Sequence, residues 1–232
     1  MTKKTATIVA GLAAALLAEH VVLAHFLWLA PVETGAAPVT VAHFSEAADN
    51  PEPDLFARIE GLVVRARSAG KKSWTVPTRL TENGFAPESA EPAGELFAEK
   101  DWGVISRGGA TFRLKYAAKT FPAGLEQAEL LGANAELAWD LSFKRRDGRL
   151  FVAARWKGQP AADVAVTWSS PTGKPREIKT NQEGEAEIPA AEPGLHALRA
   201  RHVEAAPGEL DGKAYGEIRH YVTATFVIPA AK

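Results

Sequence analysis

The chain has 232 residues, with 27 Lys and Arg against 28 Asp and Glu and no cysteine. Cations dispersed among acids exclude the clustered basic face that a nucleic-acid partner demands. The lack of cysteine excludes a disulfide framework and any thiolate metal site, so a bound metal would use histidine nitrogen or carboxylate and carbonyl oxygen.

Residues 1–24 read as a secretory signal peptide. Lys3 and Lys4 precede an apolar run from Ala6 to Ala18, and Val22-Leu23-Ala24 approximates the small-residue rule for cleavage. Glu19 and His20 interrupt the run, leaving it short of the about 20 residues of a membrane span, so the cleaved protein is not expected to be integral to a membrane. A cut after Ala18 is the rival, and it leaves Leu16 at the third position back. Cleavage after Ala24 makes His25 the first mature residue, with an α-amine and an imidazole able to chelate one ion. Copper and nickel favour nitrogen ligands most strongly, with cobalt behind them. Without that cut His25 is an ordinary early residue. Trp28, three residues on, is expected to pack beside the metal and fix this segment.

Beyond the leader the pattern is that of an all-β protein, with short β-branched and aromatic runs bounded by Gly, Pro and Asn. Strands are predicted near residues 38–44, 61–67, 103–106 and 111–119, with Gly108-Gly109 as a hairpin turn. Residues 82–95, rich in Ala, Pro, Glu and Gly, read as a surface loop, and residues 122–134 as a short helical turn or linking arm. From Ala138 the reading is clearer. Leu141 and Phe143, the turn Arg146-Asp147-Gly148, then Leu150, Val152 and Ala154 make a hairpin. Residues 164–168, the turn at residues 171–174, Ile178 and residues 186–188 follow at the spacing of a Greek-key sandwich. Two β-sandwich domains are predicted, residues 25–137 and residues 138–232, with the boundary between about Pro122 and Ala138.

Four histidines are candidate ligands: His25, His202, His220 and His43. On period-two alternation His202 shares a face with Leu198 and Ala200, and His220 with Ile218, Val222 and Phe226. If residues 205–217 close these segments as antiparallel neighbours with Glu204 opposite Ile218, His202 falls opposite His220, their Cβ atoms roughly 5 Å apart. A one-residue slip separates them. Taken singly, each is more simply a semi-buried residue bonded to a carbonyl or to Glu204. His43, on the face of Val39 and Val41, is a further ligand, a donor that steadies a ligand or, more simply, a core histidine. His196 reads as structural, and so do the scattered tryptophans. No serine elbow, HExxH or phosphate-cradling glycine loop occurs, so no enzyme is predicted.

Two resemblances add to this reading. Gly158-Gln159-Pro160 with Val164 and Val166, then Thr180-Asn181-Gln182-Glu183-Gly184-Glu185-Ala186, resembles the prealbumin-like modules found as carboxypeptidase-regulatory domains, with Asn181 where those usually carry aspartate. This implies an Ig-like Greek key for residues 138–232. Residues 24–29, Trp102-Gly103-Val104, residues 112–119, residues 199–204 and Arg219-His220-Tyr221 resemble an exported family of unknown function associated with periplasmic nickel or cobalt uptake. That resemblance implies a periplasmic or secreted β protein with a transition-metal association; His43 matches no motif position of the family. The expected function is binding of Cu(II) or Ni(II) by His25, His202 and His220, for sequestration or delivery to a membrane metal transporter. The alternatives are a metal-free structural or adhesive module of the cell envelope and a copper oxidase using the same nitrogens.

Overall fold

The computed structural model describes residues 25–33, 38–70, 72–88, 94–189 and 192–230; the expected leader, residues 1–24, lies outside them. In chain order the elements are β1 (Phe26–Val32), β2 (Val39–Ser45), a 3-10 helix (Pro53–Ile59), β3 (Val64–Arg67), β4 (Trp74–Val76), β5 (Thr78–Thr81), β6 (Gly84–Pro87), β7 (Glu95–Arg107) and β8 (Ala110–Thr120). There follow α1 (Leu125–Leu131), β9 (Trp139–Arg146), β10 (Arg149–Trp156), β11 (Gln159–Pro160), β12 (Ala165–Ser169), β13 (Arg176–Lys179), β14 (Glu185–Ile188), β15 (Gly194–Glu204), β16 (Gly208–Leu210), β17 (Lys213–Tyr215) and β18 (Glu217–Ile228). The described chain is an all-β sandwich.

Three layers make up the fold. The central sheet has eight strands in the order β13-β12-β15-β18-β8-β7-β3-β4. One outer sheet, β1-β2-β6-β5, covers one face of it, and the other, built of β9, β10, β11 and β14, covers the opposite face. Alternation along the central strands feeds both cores: Val222, Ala224 and Phe226 enter one, whereas Leu114, Tyr116 and Ala118 enter the other.

The two expected halves share this middle sheet. The last described strand, β18, pairs in parallel with β8 from Glu217 opposite Phe112 to Thr225 opposite Thr120, so the middle layer is common to both halves. Phe97, Ala117 and Leu125 of the first half join the core of the second, and Ala197 of the second joins the core of the first. The hairpin of β9 and β10 follows expectation, with positive φ at Asp147 (53°) and Gly148 (75°). Within residues 82–95 the structure adds β6, whose Gly84 runs so close to β2 that a Cβ there would sit 2.5 Å from the Ala42 carbonyl oxygen.

β1 is likewise absent from the sequence-based reading, and its packing explains why. Phe26 to Ala30 are all buried, so no alternation marks a strand. One edge pairs with β2. On the other side the Thr223 and Thr225 hydroxyls donate to the carbonyls of Leu27 and Leu29 at 2.7 and 2.6 Å, holding β1 against β18.

The connector between the halves is not an exposed linker. Leu125, Ala128 and Leu137 are buried, and a buried ionic cluster fixes it. Lys119, fully enclosed, donates to Asp140 at 2.7 Å and lies 3.0 Å from Glu95. Arg67 donates to Glu95 at 2.7 Å and to the carbonyls of Ala133 and Gly132. Asn134 donates to Asp140 through its backbone N–H and to Glu95 through its amide. Burial alone would lower the Lys119 pKa, but Asp140 and Glu95 outweigh it and hold it above the ordinary lysine value. Lys119→Met is expected to leave Asp140 without a cation and Glu95 with Arg67 alone, and to cost roughly 3–5 kcal/mol of stability. Equilibrium denaturation checks this, and a loss of less than about 1 kcal/mol would show that the cluster is not compensated through Lys119.

Candidate functional site

The register expected of β15 and β18 is present: Glu204 pairs with Ile218 and His202 with His220. The two imidazoles do not frame an open site, however. Their centroids are 6.3 Å apart, and Trp156 covers both, stacked on His202 at 4.1 Å and edge-on to His220 at 4.6 Å. The His220 Nε2 lies 3.1 Å from Glu204, which also pairs with Lys157 at 2.8 Å. Burial lowers the pKa of both histidines, only partly offset by Glu204. The pair is a packed cluster at the sandwich rim.

His43 is a core histidine, fully buried on β2. Its Nε2 donates to the Ala48 carbonyl at 3.1 Å and its Nδ1 lies 2.9 Å from the Ser45 hydroxyl, which leaves neither nitrogen for an ion. His196 is held by Trp168 and the Glu192 carbonyl. Trp28 packs in the core with its Nε1–H on the Ser45 carbonyl.

His25 stands apart from the other three. It precedes β1, on the face of the central sheet that carries Tyr116 and Tyr221, whereas His202 and His220 lie on the face toward Trp139 and Trp156. A sheet separates them, and bonds of about 2 Å to one ion cannot bridge it. The expected ligand set of His25, His202 and His220 is therefore not assembled, and no group of three or more His, Asp or Glu able to hold a metal occurs among the described residues.

The surroundings of His25 are nevertheless specific. Its Nε2 lies 3.1 Å from a carboxylate oxygen of Glu52, whose other oxygen accepts the Glu46 N–H at 3.0 Å. The Glu46 N–H foremost, joined by His25, holds the Glu52 carboxyl below the ordinary glutamate value against the opposing effect of burial. An ionised carboxylate only accepts, so Nε2 carries the proton and the lone pair of the neutral ring resides on Nδ1. Nδ1 makes no hydrogen bond among the described residues. The His25 carbonyl accepts the Tyr116 hydroxyl at 3.2 Å.

His25 borders a cleft of about 390 Å³ whose wall is largely aromatic. Phe44 stacks on Trp102 at 4.5 Å, Tyr116 meets Trp102 edge-on at 5.6 Å, and Tyr221 lies 5.7 Å from Tyr116. Trp102 continues the face of Leu96 and Ala98, and at this point β7 carries a bulge: Asp101 pairs with Lys115 and Gly103 with Leu114, so Trp102 is the extra residue. The shift lets Trp102 and Ile105, three apart, both face this side. Asp101 fixes the bulge by accepting the Gly103 N–H at 3.0 Å and the Arg113 guanidinium at 2.9 Å. Gly103 has φ +83°, a conformation that favours glycine.

Sequence reasoning misses the cleft, because its residues come from the start of β1, the 3-10 helix, β7, β8 and β18 with no common motif. The one local signal is the broken alternation at Trp102-Gly103. Comparison with protein-family models, curated proteins and solved structures gives no match.

The histidines carry a pH dependence. Burial, only partly offset by the Ala48 carbonyl and by Asp49 and Glu52, pushes the His43 pKa down to about 4, and burial also lowers those of His196, His202 and His220. The unfolded chain therefore binds protons that the folded chain refuses, and stability falls as pH drops from about 6.5 toward 4. The His43 share is roughly 3 kcal/mol. His43→Gln is expected to flatten this acid limb in denaturation measured across pH; an unchanged slope would assign the limb to other groups.

Proposed function

We propose that this is an exported protein, periplasmic or secreted, that binds one Cu(II) or Ni(II) ion at His25. The observation that carries the reading is the His25–Glu52 contact. A carboxylate on Nε2 fixes the tautomer in which Nδ1 is the free ligand, the arrangement by which outer carboxylates orient metal-bound imidazoles. Nδ1 and an α-amine on the same residue close a six-membered ring with an ion, which only cleavage after Ala24 provides. Such a chelate supplies two nitrogens and leaves the ion's other positions open, which suits capture and hand-over, including to a membrane transporter, better than permanent storage. The resemblance of residues 24–29 to the exported nickel and cobalt uptake family points the same way.

The second reading, a metal-free structural module of the envelope, is favoured by the covered state of His43, His202 and His220.

One titration separates the two. Protein processed to begin at His25 is expected to bind one equivalent of Cu(II) or Ni(II), more weakly as pH falls because the ligand nitrogens must shed protons. Adding a single residue before His25, or His25→Ala, should abolish this binding, and Glu52→Gln should weaken it about 10- to 100-fold. His202→Ala and His220→Ala should leave it unchanged. Equal affinity in the extended protein would remove the chelate.

A further inference from the structure

The cleft beside His25 has a chemistry of its own, independent of any metal. Three guanidinium groups, of Arg58, Arg107 and Arg219, share it with the aromatic wall. Arg219 is already committed: it lies over the Phe112 ring at 3.6 Å and donates to Glu217 at 2.6 Å. Arg58 and Arg107 form no ion pair among the described residues, although exposed arginines elsewhere in the chain, such as Arg145 and Arg149, do. The nearby carboxylates are occupied, Glu52 by His25 and the Glu46 N–H, and Glu217 by Arg219. With three guanidiniums against the two carboxylates of Glu52 and Glu217, the cleft carries net positive charge next to ring faces. A cationic guest would oppose that charge, and a purely apolar one would leave the guanidiniums unused.

We infer that the cleft binds a small planar organic anion, a carboxylate borne on an aromatic or conjugated ring. Its ring lies against Trp102, Tyr116 and Tyr221, and its carboxylate reaches Arg58 and Arg107, whose planar forks match that group. The volume of about 390 Å³ is that of a small-molecule site. Asp101 is a positioning residue for this ligand, since it holds the bulge in which Trp102 is the extra residue.

The test uses full mature protein freed of metal on a chelating resin, titrated with 1-naphthoate, the neutral 1-naphthamide and the cationic 1-naphthylmethylammonium, read by calorimetry and tryptophan fluorescence. Naphthoate should saturate one site, more weakly as salt rises. The amide should bind at least about tenfold more weakly, and the ammonium not measurably. Arg58→Gln and Arg107→Gln, both at exposed positions, should each cost about tenfold in naphthoate affinity while leaving the melting temperature unchanged. Asp101→Ala should weaken naphthoate and shift the tryptophan emission of the free protein, a change the arginine variants should not share. Equal binding of acid and amide, unchanged affinity in the Arg58→Gln/Arg107→Gln double variant, or no saturation by naphthoate up to millimolar concentration would overturn the assignment. Loss of naphthoate binding with Cu(II) or Ni(II) binding intact would sink the anion site alone, and the reverse would sink the metal chelate alone.

Discussion

The parallel pairing of β8 with β18 is the constraint on which the remaining structure rests. It fuses two halves of the sequence into one middle layer, and each core takes in residues from the other half. It also decides which groups can meet. Because His220 and Tyr221 are neighbours on β18, they point to opposite faces: the first joins Trp156 at the sandwich rim, the second joins Tyr116 in the cleft. A histidine ahead of β1 can work with the second group and never with the first.

The Lys119 cluster sits where this shared layer meets the connector. An enclosed ion pair is poor evidence of stability, since removing charges from water costs as much as their attraction returns. Its geometry is better read as a lock on register. Lys119 on β8 reaches Glu95 on β7 and Asp140 on β9, and Arg67 on β3 closes the set. A slip of any one of these strands would leave a charge without its partner inside the protein, a far larger penalty than the loss of an apolar contact.

What could be read in the sequence was whatever leaves a local or alternating trace. The Asp147-Gly148 turn announces its hairpin through two residues that accept positive φ. The facing of His202 and His220 follows from apolar alternation along β15 and β18, although alternation is silent about the tryptophan that lies over them. β1 was hidden because burial on every side erases the period that marks a strand. The junction of β8 and β18 leaves no local mark, as the two are about a hundred residues apart, and that single pairing joins the two expected halves into one sheet. Lys119, Glu95 and Asp140 look like surface charges to any rule based on residue type, since only the fold shows that they find one another. His25 was the singular feature of the sequence reading and remains so in the structure, with Glu52 as the partner that no spacing rule could have supplied.

The two threonine hydroxyls that hold β1 have a kinetic consequence. They join residues 196 positions apart, which makes the seating of the first described strand among the most distant contacts in the chain. Closing so long a loop is entropically costly and is repaid only when β18 is already docked beside β8. Folding should therefore begin in the local hairpins, β7 with β8 and β9 with β10, and end with the segment that carries His25. A molecule cut short before β18 would lose the wall that Arg219 and Tyr221 supply to the cleft, so His25 and its aromatic neighbours come together only at the last step of folding.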